Sequence, residues 1–135
     1  MIAVDTSALI AILADEAEAQ SFRNILMASE AVISAPTYVE FAMVAVVKSP
    51  VITSADLAKF LGYLNVSIVD FTADDARMAE AAFRKYGKGR HKAALNFGDC
   101  CSYATAKMRS LPLLFKGDDF TLTDLEAAAR LPDRL

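Results

Sequence analysis

Short apolar runs separated by stretches of helical periodicity organise this chain from its first residues. Ile2, Ala3 and Val4 precede Asp5, and Ala8, Leu9, Ile12 and Leu13 then recur at helical spacing. A buried strand turning into a helix is expected, with Ser7 as the helix cap. A second helix is predicted over residues 16–28, with Phe22, Ile25 and Leu26 on one face, and a second buried strand over residues 31–34. Pro36 opens the next helix, residues 37–48, because a missing N–H costs least in the first turn. Its Val39, Met43, Val46 and Val47 are expected to face the core, and Ser49-Pro50 closes it. Residues 54–64 read as a helix and 66–71 as a third strand. Residues 73–86 read as a helix with Asp74 and Asp75 in its first turn and Arg84 and Lys85 in its last, matching the helix dipole. The glycine-rich, basic, aperiodic stretch 87–97 predicts a surface loop. A helix from Gly98-Asp99 to about Met108, a strand over 112–115, a turn over 116–120 and a last helix around 123–129 complete the pattern.

None of the strands shows the alternation of a sheet wet on one side, so a parallel sheet of four to five strands covered by helices on both faces is expected. The fold class is three-layer α/β/α, organised as one domain over residues 1–135. Composition agrees: at 55% hydrophobic and 23% charged residues, the chain has ample apolar material for a core without disulfides or a structural metal. Cys100 and Cys101 are its only cysteines. Adjacent cysteines are poorly placed to bridge, which suits a reduced, cytoplasmic setting. The N-terminus lacks the cationic start of a secretory leader, and the densest apolar stretch, 39–47, is too short and too interrupted for a membrane span. With 14 basic against 17 acidic residues the chain is not a uniformly basic nucleic-acid binder. The charge is unevenly spread, however: residues 1–83 carry a net −7 and residues 84–135 a net +4.

Ligands of parallel α/β sheets gather at the carboxyl ends of the strands. Asp5 ends the first strand, Asp118 and Asp119 follow the fourth, Asp99 starts a helix, and Glu40 interrupts the apolar string 38–42. Acids set among apolar residues call for a partner. Clustered carboxylates without histidine or thiolate fit Mg²⁺ or Mn²⁺, which activate water for attack on phosphorus. Each acid also has a plainer reading: Asp5 as a helix cap, Asp99 as a dipole partner, Asp118 and Asp119 as turn residues.

Three segments carry a resemblance beyond this chemistry: Met1-Ile2-Ala3-Val4-Asp5-Thr6-Ser7-Ala8, Leu95-Asn96-Phe97-Gly98-Asp99-Cys100-Cys101-Ser102-Tyr103-Ala104, and Leu113-Leu114-Phe115-Lys116-Gly117-Asp118-Asp119-Phe120-Thr121-Leu122-Thr123-Asp124. Together with the helix-borne Glu40 they resemble the PIN-domain family, and within it the VapC toxins of bacterial toxin–antitoxin pairs. The resemblance implies an endoribonuclease dependent on Mg²⁺ or Mn²⁺. Asp5, Glu40 and Asp99 match the three most regular acids of the family, and Asp118, with Asp119 as the close alternative, matches the fourth. Asp5 and Asp99 would hold one ion, with Glu40 and Asp118 on a second ion or its water. Thr6 and Ser7 match hydroxyl positions for a water or phosphate oxygen. The same resemblance implies an RNA substrate such as a tRNA and neutralisation in trans by a small VapB-like antitoxin. It also implies DNA contact only through that antitoxin, and a homodimer with apolar helical surface in the region 37–64 as a candidate interface.

Arg84, Lys85, Lys88, Arg90 and Lys92 place five basic residues within nine positions before Asp99. Lys88, Arg90 and Lys92 are the expected contacts to the RNA backbone, with Lys107, Arg109 and Lys116 extending the patch. His91, the only histidine, sits in a glycine-flanked loop, a poor platform for a general base. Phe41, Phe97, Tyr103 and Phe120 read as core. A haloacid-dehalogenase-like phosphatase would need a second acid where Ser7 stands, and no P-loop string occurs. A non-catalytic RNA-binding or interaction domain of the same fold would be expected to lack one or more of the acids.

Overall fold

The computed structural model describes residues 1–129. Its centre is a four-stranded sheet in which every pairing is parallel: β1 (Ile2–Val4), β2 (Ala31–Ser34), β3 (Val66–Val69) and β4 (Leu113–Leu114), in the order β3-β2-β1-β4. The helices are α1 (Thr6–Leu13), α2 (Ala19–Met27), α3 (Ala35–Lys48), α4 (Ser54–Tyr63), α5 (Ala73–Tyr86) and α6 (Phe97–Met108).

Successive residues of a strand point to opposite faces, and here the two faces feed two cores. Ile2, Val4, Ala31, Ile33 and Leu114 join Leu9, Leu26, Phe41, Leu57 and Leu61 from α1 to α4. Ala3, Val32 and Leu113 join Ala82, Tyr86, Cys100 and Tyr103 from α5 and α6, with Phe115 and Phe120. The sheet is therefore the middle layer of three. Its exception is β3, an edge strand whose Ser67 and Ile68 are exposed, so the expectation of strands buried on both faces fails there. An edge strand has no neighbour on one side to complete its cover.

Helix starts follow their capping residues. Thr53 with Asp56, Thr72 with Asp75, and Asn96 with Asp99 each form a reciprocal capping box, and Ser34 caps α3 with Pro36 in its first turn. At α1 the cap is Asp5 rather than Ser7: the Asp5 carboxylate accepts the Ser7 N–H at 3.0 Å, while Ser7 Oγ accepts the Lys116 N–H.

Two further expectations are corrected. Helix α3 buries Thr37, Phe41 and Ala45, whereas Val39, Met43, Val46 and Val47 face outward, Val47 at 81% exposure. The helix is apolar on both sides, and Phe41, stacked on Phe60 at 5.6 Å, is the side that found a partner. No helix covers residues 123–129. A single 3-10 turn, Asp119–Leu122, is followed by extended chain in which Ala127 bridges Leu113 in parallel, through Leu113 N–H to Glu126 O and Ala128 N–H to Leu113 O. Tyr103 and Lys107 of α6 both bond the Asp124 carboxylate, at 2.6 and 2.7 Å, and hold this segment to the domain. Among the described residues no helix is long and apolar enough to cross a membrane.

Candidate active site

Parallel strands place all their carboxyl ends along one edge, and the acids lie there. Asp5 directly follows β1, and its backbone N–H donates to Leu114 O of β4 at 2.9 Å. The side chain is buried, 4% exposed, with Oδ1 accepting the Ser102 hydroxyl at 2.5 Å and Oδ2 accepting the Ser7 N–H. A buried carboxylate so bonded is held in one orientation. Glu40, one turn and a half into α3, reaches across to α1, where its Oε1 accepts the Thr6 hydroxyl at 2.5 Å. Its carboxyl group lies against Gly98 in the first turn of α6.

Asp99 is the third residue of α6. Its carboxylate accepts the Asn96 N–H at 3.1 Å and Asn96 Oδ1 accepts the Asp99 N–H at 2.9 Å. Burial pushes the Asp99 carboxyl up to about 6, against the Asn96 N–H, which stabilises the charge, and repulsion from Asp5, Asp119 and Glu40 adds to the rise. Asp99 of α6 thus feels acids from the end of β1, from α3 and from the turn after β4. Of the two residues after β4, the charge of Asp119 reaches Asp99; both are exposed.

As they stand, no three such side chains among the described residues are gathered closely enough to ligate one ion. Asp5 is bonded to Ser102 and Ser7, Glu40 to Thr6, and Asp99 to Asn96. The donor set nonetheless fits a hard divalent cation, because it is oxygen only and carries mutually repelling charge that such a cation would neutralise. The thiols beside it are not ligands in waiting: burial pushes both Cys100 and Cys101 up to about 11, and both are free.

Lys88, Arg90 and Lys92 are exposed on the connection between α5 and α6. That connection is pinned by Lys88 N–H to Leu95 O and by buried Ala93 and Leu95, so it is anchored at its base rather than free. Among the described residues none of these three cations is paired with an acid of the cluster. Arg90 lies over the Phe83 ring and Lys85 over Tyr86. The expected extension of the patch does not form: Lys107 is paired with Asp124, Arg109 with buried Asp75, and Lys116 with Glu16 and Glu18. His91 accepts the Ala93 N–H on Nδ1 and sets its ring edge-on to Tyr86, a loop-shaping role. Phe41, Tyr103 and Phe120 are core, but Phe97 is 78% exposed. It lines an apolar groove of about 420 Å³ with Pro36, Val39, Glu40, Met43 and Val44.

Two contributors escape a reading of the chain alone. Ser102 lies one turn after Asp99 on α6, and its only forewarning is a hydroxyl on the same helix face as an acid. Gly98 is marked only by its place beside Asp99.

Comparison with known proteins agrees with the fold. The PIN domain matches residues 2–125. A VapC ribonuclease of Mycobacterium bovis, Mb0640, is 43% identical over 127 residues, covering 93% of this chain and 97% of the relative. Ribonuclease VapC of Mycolicibacterium smegmatis is 44% identical over 126 residues, covering 92% and 97%. Among solved structures, Mycobacterium tuberculosis VapC20, described as a toxin that cleaves the sarcin-ricin loop, superposes with a TM-score of 0.73 at 18% identity, over 97% of this chain and all of that one. A chain of a toxin–antitoxin complex from Klebsiella pneumoniae gives 0.64 at 24% identity, over 89% and 90%. The parallel sheet, the acids along its carboxyl edge and this degree of identity over nearly the whole chain make it a member of the PIN-domain family, among the VapC ribonucleases.

Proposed function

We propose that this chain is a VapC-type endoribonuclease toxin that hydrolyses RNA phosphodiester bonds with Mg²⁺ or Mn²⁺ and is neutralised by a small VapB-like antitoxin. The observation that carries the reading is the set of four acids at one sheet edge, close enough that Asp5, Asp119 and Glu40 help to hold the Asp99 carboxyl at about 6. When bound there, a divalent cation supplies a Lewis acid for the attacking water and positive charge for the phosphate.

The chain's own residues do the rest. Ser102 and the Ser7 N–H fix Asp5 as the anchor at the end of β1, and the α6 capping box fixes Asp99 opposite it. Glu40 is steered by Thr6 towards the same edge. The fourth acid comes from the turn after β4, Asp118 with Asp119 as the close alternative, and the charge of Asp119 acting on Asp99 supports placing that turn beside the other three. Lys88, Arg90 and Lys92, exposed and unpaired with the acids, attract the RNA backbone, as phosphate contacts position a substrate without reading its sequence.

The outward apolar face of α3, Val39, Met43, Val46 and Val47, supports self-association into a homodimer. The likeness to a chain of a toxin–antitoxin complex and the relatives' membership of the VapC group support an antitoxin partner, through which any DNA contact would run. Buried, free cysteines suit a cytoplasmic protein.

The test is to incubate the antitoxin-free protein with total RNA, with Mg²⁺ or with EDTA, and to map the new ends, tRNA included. Cleavage in Mg²⁺ that stops in EDTA and in Asp5→Ala is expected. Cleavage that survives both would reject the site, and no cleavage by the intact protein would favour a non-catalytic RNA-binding domain.

A further inference from the structure

We infer that Gly98 is a positioning residue of the site: its missing side chain is the seat in which the Glu40 carboxyl group rests. The inference builds on the ribonuclease reading above, but its geometry is independent of it. A Cβ built on Gly98 would lie 2.6 Å from Glu40 Cδ and 2.7 Å from Oε1, inside the space the carboxyl group fills. Real Cβ atoms do not approach other atoms so closely.

Three elements meet at this point. Glu40 comes from α3, Gly98 from the first turn of α6, and Thr6, whose hydroxyl donates to Glu40 Oε1, from α1. Gly98 is itself buried, so the carboxyl group closes over it. Gly98 also lies next to Asp99, so the contact with Glu40 brings the two acids together from different helices. Any larger residue at 98 would press on the far end of a flexible side chain rather than on backbone. The cheapest relief is for Glu40 to swing out, breaking the Thr6 bond and leaving the cluster while the fold stands. Within a helix glycine is a poor choice on propensity, which sharpens the point. Alanine would favour the helix, and the packing of Glu40 requires its absence.

The experiment starts with metal-free full-length protein and a thermal-unfolding cycle of wild type, Gly98→Ala, Glu40→Ala and the double variant. In the Glu40→Ala background the three atoms nearest to the new Cβ are gone, and Gly98→Ala is expected to raise Tm by about 2–5 °C from helix propensity. Against intact Glu40 the rise is expected to be absent or reversed. Additive changes around the cycle would overturn the inference.

Loaded protein supplies the second readout. Gly98→Ala is expected to weaken Mn²⁺ binding by calorimetry about tenfold or more, the scale of losing a partner that orients a metal ligand. RNA cleavage should fall in step, and the shorter acid in Gly98→Ala/Glu40→Asp should recover part of what Gly98→Ala loses. Wild-type affinity and cleavage in Gly98→Ala would also overturn it. Wild-type protein that cleaves no RNA would count against the proposed function instead, and the metal-free cycle would still decide on Gly98.

Discussion

Replacing Asp99 by Asn should make the metal-free protein more stable while destroying its activity. The side chain keeps its shape and its oxygen can still accept the Asn96 N–H, so the capping box survives. What disappears is a charge that the fold holds at a cost. In the native state the carboxyl titrates at about 6 instead of 3.8. Well below pH 3.8 it is protonated in both folded and unfolded chains and the substitution changes little. As pH rises from 3.8 through about 6 the unfolded chain ionises before the fold does, and wild type loses stability that the variant keeps. A rise of that size corresponds to roughly 3 kcal/mol. Because the group is only half-buried, solvent screening cuts this to about 1.5 kcal/mol. Loss of a negative charge from the first turn of α6 takes back about 0.5 kcal/mol. The net gain of ~1 kcal/mol is a rise of about 3–5 °C in Tm at pH 7.5. The assay is calorimetric or fluorescence melting in EDTA at pH 4, 5, 6 and 7.5, repeated with Mn²⁺. Mn²⁺ should raise the Tm of wild type by mass action and leave the variant nearly unmoved. RNA cleavage by the variant should drop by more than the ~100-fold that even an outer partner of a metal ligand can cost. A variant that melts no higher than wild type at pH 7.5, or a gap that persists unchanged at pH 4, would refute the electrostatic account of the cluster.

Charge reversal of Arg90 and Lys92 together should weaken RNA binding more at 50 mM than at 300 mM salt. The log–log salt slope should fall by about 0.7 for each phosphate that the loop no longer neutralises; an unchanged slope removes the loop from the substrate path. Cys100 and Cys101, buried and with thiols pushed up to about 11, should resist iodoacetamide at pH 8 until the protein is unfolded, as read by mass spectrometry. Rapid alkylation of native protein would contradict their placement. Tyr103→Phe removes the 2.6 Å bond to Asp124 and should cost about 1 kcal/mol, near 4 °C in Tm, without changing RNA cleavage at 25 °C. A large loss of activity there would mean that residues 123–129 serve the site.

The order of strands and helices was legible in the chain because local signals agreed with one another. Pro36 opens α3, Asp74 and Asp75 begin α5 while Arg84 and Lys85 end it, and the uninterrupted apolar strands imply helices on both faces. Failures came where two answers satisfy the same local rule. Helix α3 is apolar nearly all round, so periodicity locates the helix but cannot choose between Phe41 and Met43 as the inward side. Residues 123–129 carry helix-forming Leu125, Glu126 and three alanines, yet the edge of β4 and the Asp124 bonds to Tyr103 and Lys107 offer them more. At the site, Asp5 and Glu40 stood out as acids in apolar company, and Asp99 as the acid at a helix start. Ser102 did not, because a serine in a helix carries no mark of the distant carboxylate it serves. Lys116 looked like substrate-facing charge until Glu16 and Glu18, remote in the chain, proved to be its partners.

The 97 residues that separate Asp5 from Ser102 have a consequence for the chain as it is made. At roughly 5–20 residues per second, synthesis takes about 5–20 s to pass from one to the other. Throughout that interval the first strand exists without the helix that orients its acid, and the turn bearing Asp119 is later still. A site that joins Asp5 to Ser102 cannot take its final shape until α6 and the turn after β4 have left the ribosome. The order of synthesis therefore leaves the first acid waiting for the hydroxyl that orients it, and the site is the last part of the fold to be assembled.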